Sequence, residues 1–247
     1  VNRIAAGLVW IALLTGCAFR LDTLEQDITR AAQERLENLV ASHYTRALSK
    51  GVRVVVNELS RPGGYLDNPL VRILLPPPVM LVLDIARELH AEPQAGALDV
   101  LINRAAEHAI PGAAPILQAA VAQLTIPDTR ELLDAGTTAG TDYLEDKTSD
   151  ALQEALSPLI ASALETNGAR LLYMQLFESQ AEPLPPQAVP EIAIDETPGA
   201  VPTFEEFEQY VTQEAIDGLF KAMAAEELSI RDELERLRQQ LFDGRWG

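Results

Sequence analysis

Apolar residues recur at three- and four-residue intervals along most of this chain, a spacing that predicts helices. Leu24, Ile28, Ala32, Leu36, Leu39 and Val40 make a first stripe. Asp22, with Glu25 three residues on, has the pattern of a capping box at its start. Ala47, Leu48, Gly51, Val55 and Leu59 form the buried face of a second helix or of a continuation of the first. Glycine costs roughly 1 kcal/mol in a helix interior, so Gly51 predicts a close crossing with another helix. Further helices are predicted over 79–90, 95–110 and 113–124, the last so uniformly apolar that it reads as the central one. Thr125 and Asp128 resemble a capping box that opens a short helix ending at Ala135. Helices over 138–147, 149–166 (kinked or split at Pro158) and 169–179 follow. Thr203 and Glu206 cap a final long helix. Its stripe runs through Phe204, Phe207, Val211, Ala215, Leu219 and Met223, then Ile230, Leu234, Leu237 and Leu241, over a charged Arg/Glu surface. The expectation is an all-α fold, one domain of eight to ten helices over 23–247.

Two stretches break the helical period. In 63–78, GGYLDNPLVRILLPPP, the Pro62-Gly63-Gly64 turn signal is followed by Pro69 and by three consecutive prolines. Leu70, Val71, Ile73, Leu74 and Leu75 are too apolar for water, so an extended, polyproline-like strap buried across helices is expected. The second stretch, 180–202, holds six prolines and reads as an acidic loop. Over 171–220 there are ten acids and no Lys, Arg or His, which leaves a solvated loop or a docking tail for a basic partner or divalent cations.

Charge and the N-terminal residues add an address. The formal net charge is −18. No basic stripe remains to bind nucleic acid or anionic lipid, and no nucleic-acid partner is expected. Arg3 followed by the apolar run 4–14 reads as a secretory signal, with 1–16 removed. Leu14-Thr15-Gly16-Cys17 resembles the bacterial lipobox, which makes Cys17, the one cysteine in the chain, the expected site of lipid attachment, with residues 17–22 as a short tether. Ala18 in the next position resembles the default for outer-membrane sorting. The expected location is the cell envelope, facing the periplasm, held to the membrane by acylated (palmitate-type) Cys17.

The 63–78 run and four further stretches carry a resemblance. They are YTRALSKG at 44–51, INRAAE at 102–107, TDYL at 141–144 with Thr148-Ser149, and YVTQEAIDGLF at 210–220. In this order they resemble the bacterial family known as domain of unknown function 4197, over residues 40 to 231. The resemblance implies an all-helical, secreted or lipid-anchored envelope protein and implies no activity. The chain departs from the family in its long link at 180–202.

The search for chemistry finds no G-x-S-x-G, no phosphate loop and no H-E-x-x-H, and His43, His90 and His108 are scattered. No catalytic set, metal site or cofactor is expected. Polar residues at motif positions remain: Tyr65, Asp67, Asn68, Arg72, Asn103, Arg104, Glu107, Asp142, Tyr143, Tyr210 and Asp217. The leading reading is a hydrogen-bonded network that sets helix register and holds the strap. Arg72, flanked by apolar residues, is expected to be buried and paired with Glu107, Asp142 or Asp217. A second reading makes the strap one wall of a groove for a small anionic or apolar ligand. A third is a hydrolase with Asp142 or Glu107 as general base. The leading function is a non-enzymatic protein that binds an envelope partner.

Overall fold

The computed structural model describes residues 4–81, 92–178 and 201–242, with side chains described within 29–81, 96–177 and 201–240. Seven α-helices and no strand are found among them: α1 (Ile4–Leu59), α2 (Glu92–Ala109), α3 (Ala113–Ala122), α4 (Ile126–Ala135), α5 (Ala139–Thr166), α6 (Ala169–Tyr173) and α7 (Phe204–Phe242). The protein is all-α. The helix expected over 79–90 begins as a helical turn at 77–81 and otherwise lies outside the described residues, as does the acidic loop up to residue 200. No single described helix is long and apolar enough to cross a membrane.

α1 is one helix, with 42–59 a continuation of the first stripe. It runs unbroken through 17–22, so Asp22 is not its N-cap. No proline and no glycine falls between Ala18 and Lys50, and nothing there interrupts the ladder. The predicted stripe is only half used. Residues 29–35 and Leu39 are exposed, and full burial begins at Ala41. From Ala41 on, Tyr44, Leu48, Val52, Val55 and Leu59 pack into the core. Gly51 sits where expected: a Cβ there would press on Glu226 Cγ and Ile230 Cδ1 of α7, each at 3.1 Å. Tyr44 meets Glu227 and Arg231, so numbering falls along α1 as it rises along α7, and the two helices are antiparallel.

The central helix is α5, which packs against α2, α3, α4, α6 and α7. The apolar run chosen from the sequence, α3, buries Ala113, Leu117, Ala120 and Val121 and leaves Pro115, Ala119 and Ala122 exposed. Small apolar side chains cost little in water, so they do not mark a centre. α5 is also a single helix where two were expected. Thr148 Oγ1 and Ser149 Oγ donate back to the Leu144 and Glu145 carbonyls, both at 2.6 Å, which places them inside a helix instead of at a cap. Pro158 is accommodated in the same helix. Both predicted capping boxes are present, Thr125 with Asp128 and Thr203 with Glu206. Tyr173 stacks on Phe207 and meets Phe177 and Phe204, which packs α6 and the turn after it against the start of α7.

The strap is less extended than its prolines imply. Residues 61–71 form a chain of turns: Gly64 N–H donates to Arg61 O, Asp67 N–H to Gly63 O and Arg72 N–H to Asn68 O. Gly63 has φ 92°, a conformation that excludes a Cβ at low cost. Residues 72–76 follow with neither turn nor helix. Pro76, Pro77 and Pro78 do not make a polyproline run. They open the helical turn at 77–81, with Met80 N–H on Pro76 O, because the first turn of a helix needs no donor from them. Val71, Ile73 and Leu75 point inward and are buried, while Leu70 and Leu74 are 52% and 57% exposed. The alternation is that of a strand laid on a surface.

Candidate functional site

The strap is pinned by two side chains one turn apart on α2. Asn103, fully buried, behaves like a strand partner for Ile73. Its Oδ1 accepts the Ile73 N–H and its Nδ2 donates to the Ile73 carbonyl, each at 2.9 Å. The same Nδ2 also donates to Asp99 O, which fixes its rotamer. Glu107, also buried, closes the turn. Its Oε1 accepts the backbone N–H groups of Gly63 (3.0 Å), Tyr65 (3.2 Å) and Leu66 (3.2 Å), and its Oε2 accepts Arg104 Nη1 at 2.6 Å. Successive N–H groups that converge on one point form a nest that favours an anion, and here the anion is the protein's own. Tyr65 donates from inside the core to the Ala215 carbonyl at 2.6 Å, and Tyr210 donates to Leu74 O at 2.9 Å, so α7 holds the other edge. Asn68 Oδ1 accepts the Leu70 N–H at 3.1 Å, a local turn bond.

The structure therefore brings together Tyr65, Asn68, Asn103, Arg104, Glu107 and Tyr210, and leaves the others apart. Asp67 is exposed. Asp142 is exposed, with Thr138 Oγ1 at 3.4 Å as its partner. Tyr143 is a half-buried packing residue. Asp217 accepts Gln213 Nε2 at 2.8 Å on its own helix. Arg72 is neither buried nor paired with Glu107, Asp142 or Asp217. It is 42% exposed and bonds to Asp99 of α2. The strand-like alternation of 70–75 turns its even-numbered side chains outward, which sequence spacing read as a uniform apolar run had hidden. Arg72→Ala is expected to lower stability by less than about 1 kcal/mol in urea unfolding, as for an exposed pair. A loss of several kcal/mol would require a buried partner.

A second polar cluster is the one sequence reasoning missed. Glu227 of α7 is fully buried and surrounded by donors. Oε1 accepts the Tyr44 hydroxyl, the Gly140 N–H at 3.0 Å, and Arg231 Nε and Nη2 at 3.1 and 3.0 Å. Oε2 accepts the Thr141 N–H at 2.7 Å and its hydroxyl at 2.8 Å. The carboxylate thus sits on the N-terminus of α5, where the helix dipole favours it. A Cβ at Gly140 would overlap the Tyr44 hydroxyl, so glycine is required by close approach. Arg231 completes its own bonds on Leu132 O and Leu133 O and lies over the Tyr44 ring. The signal was in the pattern: Glu227 occupies the stripe position between Met223 and Ile230 that otherwise holds an apolar residue.

Burial acts on three phenols. It drives Tyr44 and Tyr65 well above the usual value near 10, with the Glu227 carboxylate adding to the effect at Tyr44 and Arg231 opposing it. Tyr210 is pushed up to about 12, by burial and then by Glu214. A phenol held protonated in the fold ionises first in the unfolded chain. Its contribution is complete below pH 10 and is lost as pH rises above that value. The unfolding free energy from urea titration is expected to fall from pH 10 upward, by about 1.4 kcal/mol per pH unit for each of Tyr44 and Tyr65, and the midpoint with it. Tyr65→Phe is expected to reduce the slope. A midpoint that stays flat to pH 12 would contradict the burial of these hydroxyls.

Two open grooves flank these clusters. The larger, about 470 Å³, lies between α1, α4 and α7. Among the described residues its charges balance, with Arg130, Arg231 and Arg238 against Glu37, Asp134 and Glu235. The smaller, about 370 Å³, lies between α1, the 63–70 turn and α7. Of the polar handles expected for a strap groove it contains Asn68, and not Tyr65, Asp67 or Arg72. Among the described residues no three of His, Cys, Asp and Glu come together as a metal set.

Compared with known proteins, residues 36–246 match the model of a family described as protein of unknown function (DUF4197). No curated protein and no solved structure matches the chain.

Proposed function

Because the chain belongs to the DUF4197 family, to which no activity is assigned, we propose from its own geometry that it is an envelope protein that works by binding another protein. The observation that carries this reading is the division of labour along the strap. Its inner side is consumed by Asn103, Glu107 and Tyr65 in holding the fold, and these polar groups are saturated with internal hydrogen bonds. Its outer side leaves Leu70, Leu74, Met80 and Leu81 exposed in one short stretch. Several large apolar residues exposed together suit a partner surface better than water. Unbroken helix from Cys17 to Ala41 adds a second element. The twenty-four helical rises between them span about 36 Å, so lipid attached at Cys17 would set the bundle off the membrane by an arm of that order.

The test uses intact cells. A photo-crosslinking amino acid at position 74 is expected to give a discrete adduct that the same residue at the exposed position 145 does not. Identical patterns at 74 and 145 would overturn the binding reading. Cys17→Ser is expected to release the protein from the membrane fraction, or stall its processing, and to abolish labelling by a fatty-acid probe. Unchanged labelling would remove the anchor from the proposal.

A further inference from the structure

We propose that the smaller groove, between α1, the 63–70 turn and α7, seats a Lys- or Arg-bearing segment of a partner protein. The inference rests on the binding reading above and names the chemistry of one contact. Leu59, Ala222 and Ala225 give the groove apolar lining, and Leu70, also in the lining, is exposed. Glu58 and Glu226 also line it, and among the described residues no Lys, Arg or His does. Neither carboxylate makes a hydrogen bond or ion pair with a described residue. That sets them apart from Glu107 and Glu227, which are saturated, and from the larger groove, whose charges cancel.

Apolar lining beside two unpaired carboxylates is complementary to a long aliphatic stem that ends in a cation. A lysine or arginine side chain has this shape: its methylenes cover apolar surface while its head stays with acids and water. The groove is also held open by the fold. The Gly63 turn is fixed by Glu107, and Glu226 lies over Gly51 at the α1–α7 crossing, so neither wall needs to form on binding. A chain of net charge −18 attracts any basic segment at long range. The groove supplies the local, shape-dependent part of the recognition.

The experiment uses full-chain protein in neutral detergent and a fluorescein-labelled dodecapeptide of alternating lysine and alanine, read by fluorescence anisotropy. The double variant Glu58→Gln, Glu226→Gln is expected to weaken binding by about tenfold or more, as for loss of paired charges at an interface. The double variant Glu145→Gln, Asp146→Asn removes the same charge from an exposed site and is expected to weaken binding less than about twofold. Ala225→Trp fills the groove at constant charge and is expected to weaken binding as much as the first pair. Thermal unfolding checks that each variant is folded; the amides are isosteric and Ala225 is exposed. Equal weakening by the two double variants, or no effect of Ala225→Trp, would overturn the groove and leave diffuse attraction. Either result leaves the crosslink at position 74, and with it the broader binding reading, standing.

Discussion

Glu227→Ala is expected to remove roughly 3–5 kcal/mol of stability, a large share of the 5–15 kcal/mol that a domain usually has. The reason is the company this carboxylate keeps. Tyr44, Gly140, Thr141 and Arg231 all donate to it, and all are buried or nearly so. Alanine strands each donor at once and opens a cavity at the junction of α1, α5 and α7. Glu227→Gln is informative because it keeps the volume. Its amide nitrogen would meet N–H and guanidinium donors, with only the Tyr44 or Thr141 hydroxyl able to turn and accept from it, so glutamine is still expected to cost a large part of what alanine does. Urea midpoints at pH 7 measure both. A glutamine variant within about 0.5 kcal/mol of wild type would show that the site needs an oxygen but not a charge.

Most of the helical framework was legible because long apolar stripes and capping boxes are local signals. Phe204 through Leu234 and the Thr125–Asp128 box fall where their spacing puts them. The readings that failed depend on a neighbour. Thr148 and Ser149 can cap a helix or bond back inside one, and only the surrounding helix decides. Three prolines can extend a chain or open a helix, and the Met80 N–H on the Pro76 carbonyl shows that they open one. Arg72 has an apolar sequence environment but an exposed spatial one, because the strand-like alternation of 70–75 separates neighbours in sequence onto opposite faces. Of the polar positions, those that pin the strap lie on α2 and α7. The two aspartates, Asp142 and Asp217, belong to their own helices. Glu227 was hidden for the opposite reason: it is a charge on an apolar stripe, and its partners arrive from residues 44, 140 and 141.

Glu107→Ala is expected to have the second large effect, also roughly 3–5 kcal/mol, with a different signature. Glu227 ties three helices together, whereas Glu107 ties a turn to a helix. Its loss strands the N–H groups of Gly63, Tyr65 and Leu66 beneath a chain that cannot refold into a helix around Gly63 and Pro69. Hydrogen exchange at those amides, and at Ile73 next along the strap, is expected to accelerate more than exchange in α5. Arg104 is the weaker member of the pair, 39% exposed against 5% for the glutamate, so Arg104→Ala is expected to cost far less. Glu107→Gln separates this site from the first. An amide oxygen can still accept from the three turn N–H groups while the amide nitrogen displaces only partly solvated Arg104. Glutamine is therefore expected to recover most of the stability here and little at Glu227. An alanine variant less than about 1 kcal/mol below wild type, with protected amides at 63, 65 and 66, would mean that the turn stands without the carboxylate. The groove wall that Gly63 and Gly64 build against α1 would then owe its shape to the turn alone.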